Sequence, residues 1–212
     1  MSLSNKVFFA DFVFHFSEKV YEPSEDSFFF ADNLKVRDCC KVVDIGTGCG
    51  ILGVIAAKNA ARVVATDINP FAVLCARGNA HINNVADRML FVRGDLFSPL
   101  KTGKEFDLIL FNAPYLPSEE NENDSWICRA WAGGVSGREV IGRFICEAPK
   151  YLKPSGEIML LQSTLSNVEE TLRRFEQGGL TAEIIARQDI PFFETIVLIR
   201  ASATTSMSRS LH

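Results

Sequence analysis

Six cysteines are scattered through the 212 residues without one C-x-x-C pair, and the three histidines (His15, His81, His212) have no cysteine or carboxylate at ligand spacing. That excludes zinc ribbons, fingers and Cys/His metal clusters, so no metal site is expected. The sequence also lacks a secretory leader, and free thiols in a reducing cytosol, hence a cytoplasmic setting, are the expectation. No apolar run approaches the roughly 18 residues of a membrane-spanning helix, so no membrane partner is expected. Positive charge is short as well: 22 Lys and Arg stand against 26 Asp and Glu, a formal −4. A protein that grips duplex nucleic acid by its phosphates needs the opposite balance, which leaves nucleic acid an unexpected partner. What remains, 47% hydrophobic and without an internal repeat, is an ordinary globule of about one domain's length.

Residues 1–30 read as an N-terminal lid or cofactor-capping segment, in which Phe8, Phe9, Phe12, Phe14 and Phe16 nearly alternate as in a strand or extended arm. From Lys41 onward the pattern is regular. Apolar, β-branched runs predict strands at 41–45, 62–66, 89–93 and 106–112, with helices near 51–60 and 70–83 between them. Asn69 and Pro70 suit an N-cap and a first helical position. Strands alternating with helices at this spacing mean βαβ units and a parallel sheet covered on both faces. A helical pattern then runs from Gly137 to about Leu152, closed by Pro154 and Gly156. A strand at 157–162 and a helix from about 166 to 177 follow. The runs 181–188 and 192–200 leave no room for a crossover helix and must close as an antiparallel hairpin. The expected fold is α/β and Rossmann-like: a mostly parallel seven-stranded sheet ending in that hairpin, with helices on both faces. It occupies a single domain over 1–200, and the Ser/Thr-rich tail 201–212 is expected to be disordered.

The run Asp44-Ile45-Gly46-Thr47-Gly48-Cys49-Gly50 follows a strand and opens a helix, where glycines let backbone approach a ligand closely. Two registers compete. Gly48-x-Gly50-x-x-Gly53 satisfies a dinucleotide fingerprint, with Asp67 placed 19 residues later to bind ribose. Read from Asp44, the run is instead the D-x-G-x-G-x-G of S-adenosylmethionine (SAM)-dependent methyltransferases, and Asp67 again holds ribose hydroxyls. Asp44 favours the second register. A carboxylate beside the cradle repels a pyrophosphate, whereas SAM carries no phosphate and offers an ammonium and a sulfonium. Asp95, in Val92-Arg93-Gly94-Asp95-Leu96, ends the third strand, where it can accept from an adenine amino group or serve as a loop or cap residue.

The fourth strand ends in Phe111-Asn112-Ala113-Pro114-Tyr115, at the crevice where open α/β sheets bind ligands. An NH₂ nucleophile needs two acceptors in fixed positions, and the Asn112 side-chain oxygen and the Ala113 carbonyl can supply them. A neutral Asn suits a nitrogen that gains positive charge as it attacks. Pro114 biases Ala113 to extended backbone, and Tyr115 can stack on a flat substrate group. A plain strand-to-loop turn is the alternative.

Tyr21-Glu22-Pro23-Ser24-Glu25-Asp26-Ser27, the D-I-G-T-G-C-G loop, F-N-A-P-Y and Trp131-Ala132-Gly133-Gly134…Gly137-Arg138-Glu139 together resemble the HemK/PrmC family, in particular its single-domain archaeal and eukaryotic branch. The resemblance runs from about residue 20 to 200. It implies a class I methyltransferase that modifies the glutamine side-chain amide of a Gly-Gly-Gln motif in a translation release factor. It also implies that Ser27, Asp44, Gly46, Asp67, Asp95, Leu96 and Asn112 line the SAM site, with Asn112 also holding the substrate. A small zinc-binding activator is the implied partner. Its expected dock is the 89–93 strand, an outer edge in the usual strand order, unless the Phe-rich N-terminus covers that edge. Two positions depart from the usual pattern: Ala113 replaces the first proline of N-P-P-Y, which loses rigidity and keeps the carbonyl, and Ser27 replaces a threonine, which keeps the hydroxyl. Two other functions compete, an adenine-N6 or other exocyclic-amine methyltransferase on DNA or RNA, and a non-catalytic methyltransferase-fold subunit. The acidic run 118–124 reads as a solvated loop, or as a segment that repels nucleic acid and greets a basic protein segment at the mouth of the site.

Overall fold

Val42, Val43 and Ile45 make β3 (Lys41–Ile45) apolar on both faces, and so do Leu108–Phe111 in β6 (Phe106–Asn112). Strands of that composition belong in the middle of a sheet whose two faces are covered. The computed structural model, which describes residues 5–60, 62–118, 125–190 and 194–203, places them side by side and parallel. Around them runs one seven-stranded sheet in the order β5-β4-β3-β6-β7-β9-β8, where β4 is Arg62–Asp67, β5 Met89–Arg93, β7 Leu152–Ser163, β8 Leu180–Ile190 and β9 Glu194–Ala203. The first five are mutually parallel; β9 is antiparallel to both β7 and β8. The strand order reverses beside β3, so a crevice opens beyond the C-terminal ends of β3 and β6. Among the described residues no helix is long and apolar enough to cross a membrane.

The helices are α1 (Glu25–Asn33), α2 (Ile51–Ala56), α3 (Pro70–Ile82), α4 (Cys128–Trp131), α5 (Glu139–Glu147) and α6 (Val168–Gln177). Asn69 caps α3, its side chain accepting from Phe71 N at 2.9 Å with Pro70 behind it. α5 buries Ile141, Phe144 and Ile145, and the Phe144 ring stacks on Phe111 at 4.5 Å and Phe97 at 5.6 Å, gluing the helix under the end of β6. Each of the fully buried Ile45, Ile109, Leu110 and Leu160 contributes about 1.5–3 kcal/mol of transfer free energy.

The aromatic N-terminus is a two-stranded hairpin, β1 (Asn5–Phe9) with β2 (Phe12–Phe16), and forms a sheet of its own. It lies on α3, where two asparagines one turn apart treat β2 as a neighbouring strand. Asn83 exchanges both backbone hydrogen bonds with Val13, and Asn79 both with His15, at 2.8–3.0 Å. Asn79 Nδ2 also donates to Cys49 O at 2.8 Å, tying hairpin, helix and glycine loop together. The hairpin therefore does not cover β5 as a paired strand.

Other expectations are corrected. The helix expected at 51–60 ends at Ala56, and the C-terminal strands extend to 180–190 and 194–203, with 191–193 outside the described residues. Ala201–Ala203 belong to β9, so the tail expected to be disordered from 201 starts no earlier than 204; residues 204–212 lie outside the described ones. Pro154 and Gly156 do not close a helix. α5 stops at Glu147, a 3₁₀ turn (Ala148–Lys150) follows, and β7 begins at Leu152 with a register shift against β6 between Phe106 and Leu108. That irregularity lets Pro154 sit in a strand without breaking a ladder bond. The segment expected to be a helix from 166 opens with a 3₁₀ turn, and α6 starts only after Asn167, which caps it in the left-handed conformation.

Candidate active site

Gly46, Gly48 and Gly50 all have positive φ (+64°, +57° and +91°), which L side chains rarely adopt. They have different jobs. A Cβ on Gly48 would meet nothing within 4 Å, whereas one on Gly50 would stand 2.9 Å from the Ala76 Cβ of α3. Gly48 presents bare backbone to a cavity of about 430 Å³, and Gly50 presses the loop against α3. Every other site residue expected from the sequence lines that cavity; Gly50 does not. The volume falls within the roughly 300–1,000 Å³ of ligand pockets.

Two carboxylates stand at the strand ends beside the loop. Asp44 is buried; its Oδ2 accepts from Thr47 Oγ1 at 2.6 Å and from Gly53 N at 3.0 Å. Burial pushes its pKa up to about 7 against those two bonds, with Asp67 adding to the rise. Asp67 Oδ2 accepts from Gly48 N at 2.9 Å and Oδ1 from Asn69 N at 2.8 Å, while desolvation raises its pKa too. A ligand that lies here meets carboxylates on two sides, an arrangement suited to cationic and hydroxyl groups and unsuited to phosphates. Asp95 also faces the cavity, and its carboxylate is paired with Arg143 of α5 at 2.5 Å. Leu96 adopts φ +48°, and its carbonyl accepts from Thr66 Oγ1 at 3.3 Å.

At the end of β6 the Asn112 amide has a fixed polarity. Its Nδ2 donates to Asp26 Oδ2 at 3.0 Å and to Ser27 Oγ at 3.5 Å. Among the described residues its Oδ1, which is buried, has no hydrogen-bond partner. An unpaired buried acceptor costs about 1–3 kcal/mol, a cost that a ligand donor would relieve. Just past the strand, the Ala113 N–H donates to Leu161 O at 3.3 Å, a bond that the usual proline could not make. Tyr115 is buried beyond it; burial, then Asp26 and Tyr21, raise its phenol pKa.

The W-A-G-G…G-R-E segment is a buttress for this turn, although Trp131 also reaches the cavity wall. Leu116 N donates to Trp131 O, Gly133 N to Leu116 O and Ser118 N to Gly134 O, at 2.8–3.0 Å. A Cβ on Gly137 would stand 2.3 Å from Tyr115 O, so the backbones touch. Of the acidic run 118–124 expected at the mouth, Ser118 is buried and residues 119–124 lie outside the described ones. The family resemblance implied Ser27 from Y-E-P-S-E-D-S and gave no role to Asp26 and Tyr21, which also line the cavity. Arg143 went unnoticed as well; it is an exposed residue of α5 beside the buried Phe144, and no local signal marks it.

Residues 27–113 match the family model of ribosomal protein L11 methyltransferases (PrmA). A provisionally named protein N5-glutamine methyltransferase of Methanocaldococcus jannaschii is 44% identical over 182 residues, 85% of this chain and 90% of that protein. Methyltransferase HEMK2 of Mus musculus is 35% identical over 175 residues, 76% of this chain and 79% of its own. Among solved structures, the E. cuniculi Mtq2–Trm112 complex, responsible for methylation of the eRF1 translation termination factor, is similar at a TM-score of 0.68. The match has 29% identity over 88% of this chain and 99% of that one. Likeness of this depth over most of both chains makes this protein a member of the HemK/PrmC family of glutamine methyltransferases.

Proposed function

We propose that the chain transfers a methyl group from SAM to the side-chain amide nitrogen of glutamine in the Gly-Gly-Gln motif of a translation release factor, in the cytoplasm. The observation that carries this reading is Asn112 Oδ1, a buried acceptor with no partner among the described residues, at the mouth of a carboxylate-lined cavity. The cavity suits SAM: Gly48 leaves room for close approach, Asp67 offers acceptors to ribose hydroxyls, and Asp44 faces the loop with a charge that favours a cation. Asp95 and Leu96 are assigned to the adenine end. When bound, SAM supplies a methyl group on a positively charged sulfur. Asn112 then accepts one N–H of the substrate amide and the Ala113 carbonyl the other, which holds the NH₂ plane in place and stabilises charge growing on nitrogen. Tyr115 forms a wall for the flat amide. The test is incubation with labelled methyl-SAM and either a Gly-Gly-Gln factor or bulk nucleic acid. Label in glutamine supports the proposal; label only in nucleic acid, or none, defeats it.

Asp44 gives a pH test. Its pKa in the folded protein, about 7, exceeds the ordinary 3.8, so the free protein holds a proton that the unfolded chain has lost between those values. The free chain's stability therefore declines as pH rises through that window. A cationic ligand favours ionised Asp44, so SAM binding should release a proton and weaken by up to about tenfold per pH unit below 7. Calorimetry at pH 6.5 in two buffers of different ionisation enthalpy counts that proton. An Asp44→Asn variant that releases the same number would refute the assignment.

A small zinc-binding protein paired along β5 is the proposed partner. Among the described strands β5 pairs only with β4, and Leu90 is 51% exposed on it. Such an edge is a template for a partner strand. Phe91 is half-buried against the core, so Leu90→Glu is the cleaner probe. It should abolish co-purification with the partner while the chain still folds. Absence of any complex by gel filtration at micromolar concentration, with full activity of the isolated chain, would count against the partner.

A further inference from the structure

The two oxygens of Asp26 divide their work. Oδ1 lies within hydrogen-bond distance of Ser27 N at 2.6 Å, Ser24 Oγ at 3.0 Å, Ser27 Oγ at 3.2 Å and Tyr21 Oη at 3.4 Å; among the described residues Oδ2 accepts from Asn112 Nδ2 alone. The Tyr21 and Ser24 hydroxyls are 2.8 Å apart and one donates to the other, so three protons at a time point at Oδ1. Tyr21, Ser24 and Ser27 of the Tyr21–Ser27 motif thus converge on one buried carboxylate, and that carboxylate has one bond outside the motif.

We infer that Asp26 is a positioning residue for methyl transfer, fixing the Asn112 amide with its oxygen, and not its NH₂, towards the cavity. An amide is nearly symmetric in shape, so packing alone does not choose between its two orientations. A carboxylate does choose, because it accepts and never donates when ionised. With Oδ2 aimed at it, Asn112 must turn its NH₂ to Asp26, and its Oδ1 is left as an acceptor for the substrate. The donors on Oδ1 hold Asp26 itself in one rotamer. The inference rests on the methyl-transfer proposal for its meaning, and the motif then serves catalysis at one remove, with no contact to the reacting atoms required.

Asp26→Asn tests this with no change in volume. The donors around Oδ1 retain the carbonyl oxygen of the new amide, so its NH₂ takes the place of Oδ2 and confronts the NH₂ of Asn112. Asn112 must flip, which presents a donor where the substrate N–H needs an acceptor. Turnover should fall by about 30-fold or more, with the KM for SAM unchanged within about twofold. Adding Asn112→Asp reverses the pairing: the amide at 26 donates to one oxygen of the new carboxylate, and the other oxygen faces the cavity. Asp26→Asn/Asn112→Asp should therefore exceed either single variant by about tenfold, since Asn112→Asp alone sets two carboxylates against each other. A role limited to holding α1 predicts no such rescue.

A second arm needs no activity. In ¹⁵N–¹H spectra the side-chain amide of Asn112, assigned by its loss in Asn112→Ala, should show one downfield, slowly exchanging proton that disappears in Asp26→Asn. Unchanged amide signals in Asp26→Asn, or a double variant no better than the singles, would overturn the inference. A wild-type chain, supplied with its partner, that methylates no glutamine while the amide signals respond as expected defeats the methyl-transfer proposal and leaves the orientation by Asp26 standing.

Discussion

Asn112→Ala should cut turnover by about 10²-fold or more and leave SAM affinity within a few fold. Asn112 stands at the last position of β6, paired in register with Leu161 of β7, so the rigid middle of the sheet fixes its backbone. Alanine keeps that register and removes the one side-chain acceptor aimed at the substrate nitrogen. The Ala113 carbonyl remains, and one acceptor cannot set the plane of an NH₂ group. Removing a single preorganised hydrogen-bonding group at a charge-developing centre costs about 10²–10³ in rate in comparable sites. Asp44 and Asp67, the acceptors proposed for the cofactor, are on β3 and β4 and stay in place. Single-turnover rates at saturating SAM, with the factor substrate varied, read the effect directly. Near-normal turnover would mean that the substrate nitrogen is held elsewhere.

The parts of this site that could be read from sequence are those whose signal is local. The glycine loop, Asp67 and F-N-A-P-Y each combine an apolar β-branched run with residues that have a special backbone or charge, and a parallel sheet brings strand ends together by topology alone. Asp26 was not legible by the same route. Its partner Asn112 is 86 positions away, and the helix that presents it, α1, contains Phe28, Phe29 and Phe30 in succession. Three adjacent aromatics have no 3.6-residue period, because this helix packs on α2, β6 and β8 at once. The N-terminal hairpin hid for another reason. Its turn sets Ala10 at φ +47°, where Gly or Asn would have marked a two-residue hairpin loop. The anchoring asparagines Asn79 and Asn83 look, in sequence, like ordinary polar residues of a helix. Only the fold shows that their amides stand in for a strand.

Asp67→Ala should weaken SAM binding by about 1–3 kcal/mol, roughly 5- to 150-fold in Kd, with turnover at saturating SAM changed far less. Asp67 has two tasks. In the proposed site it offers a charged acceptor pair to vicinal hydroxyls at the end of β4, and it already holds Gly48 N on one oxygen and Asn69 N on the other. Alanine gives up both, so the glycine loop and the start of α3 lose their common tie as the ribose loses its partner. Asp67→Asn is no milder in principle, because the two backbone donors approach different oxygens and an amide offers only one. It should bind SAM closer to the alanine variant than to the wild type. Calorimetry on the wild type and both variants, with NAD as the competing ligand, decides the matter. Tight NAD binding without SAM binding would restore the dinucleotide register of the loop and displace the methyl-transfer reading. Equal SAM affinity in all three proteins would remove Asp67 from the cofactor site.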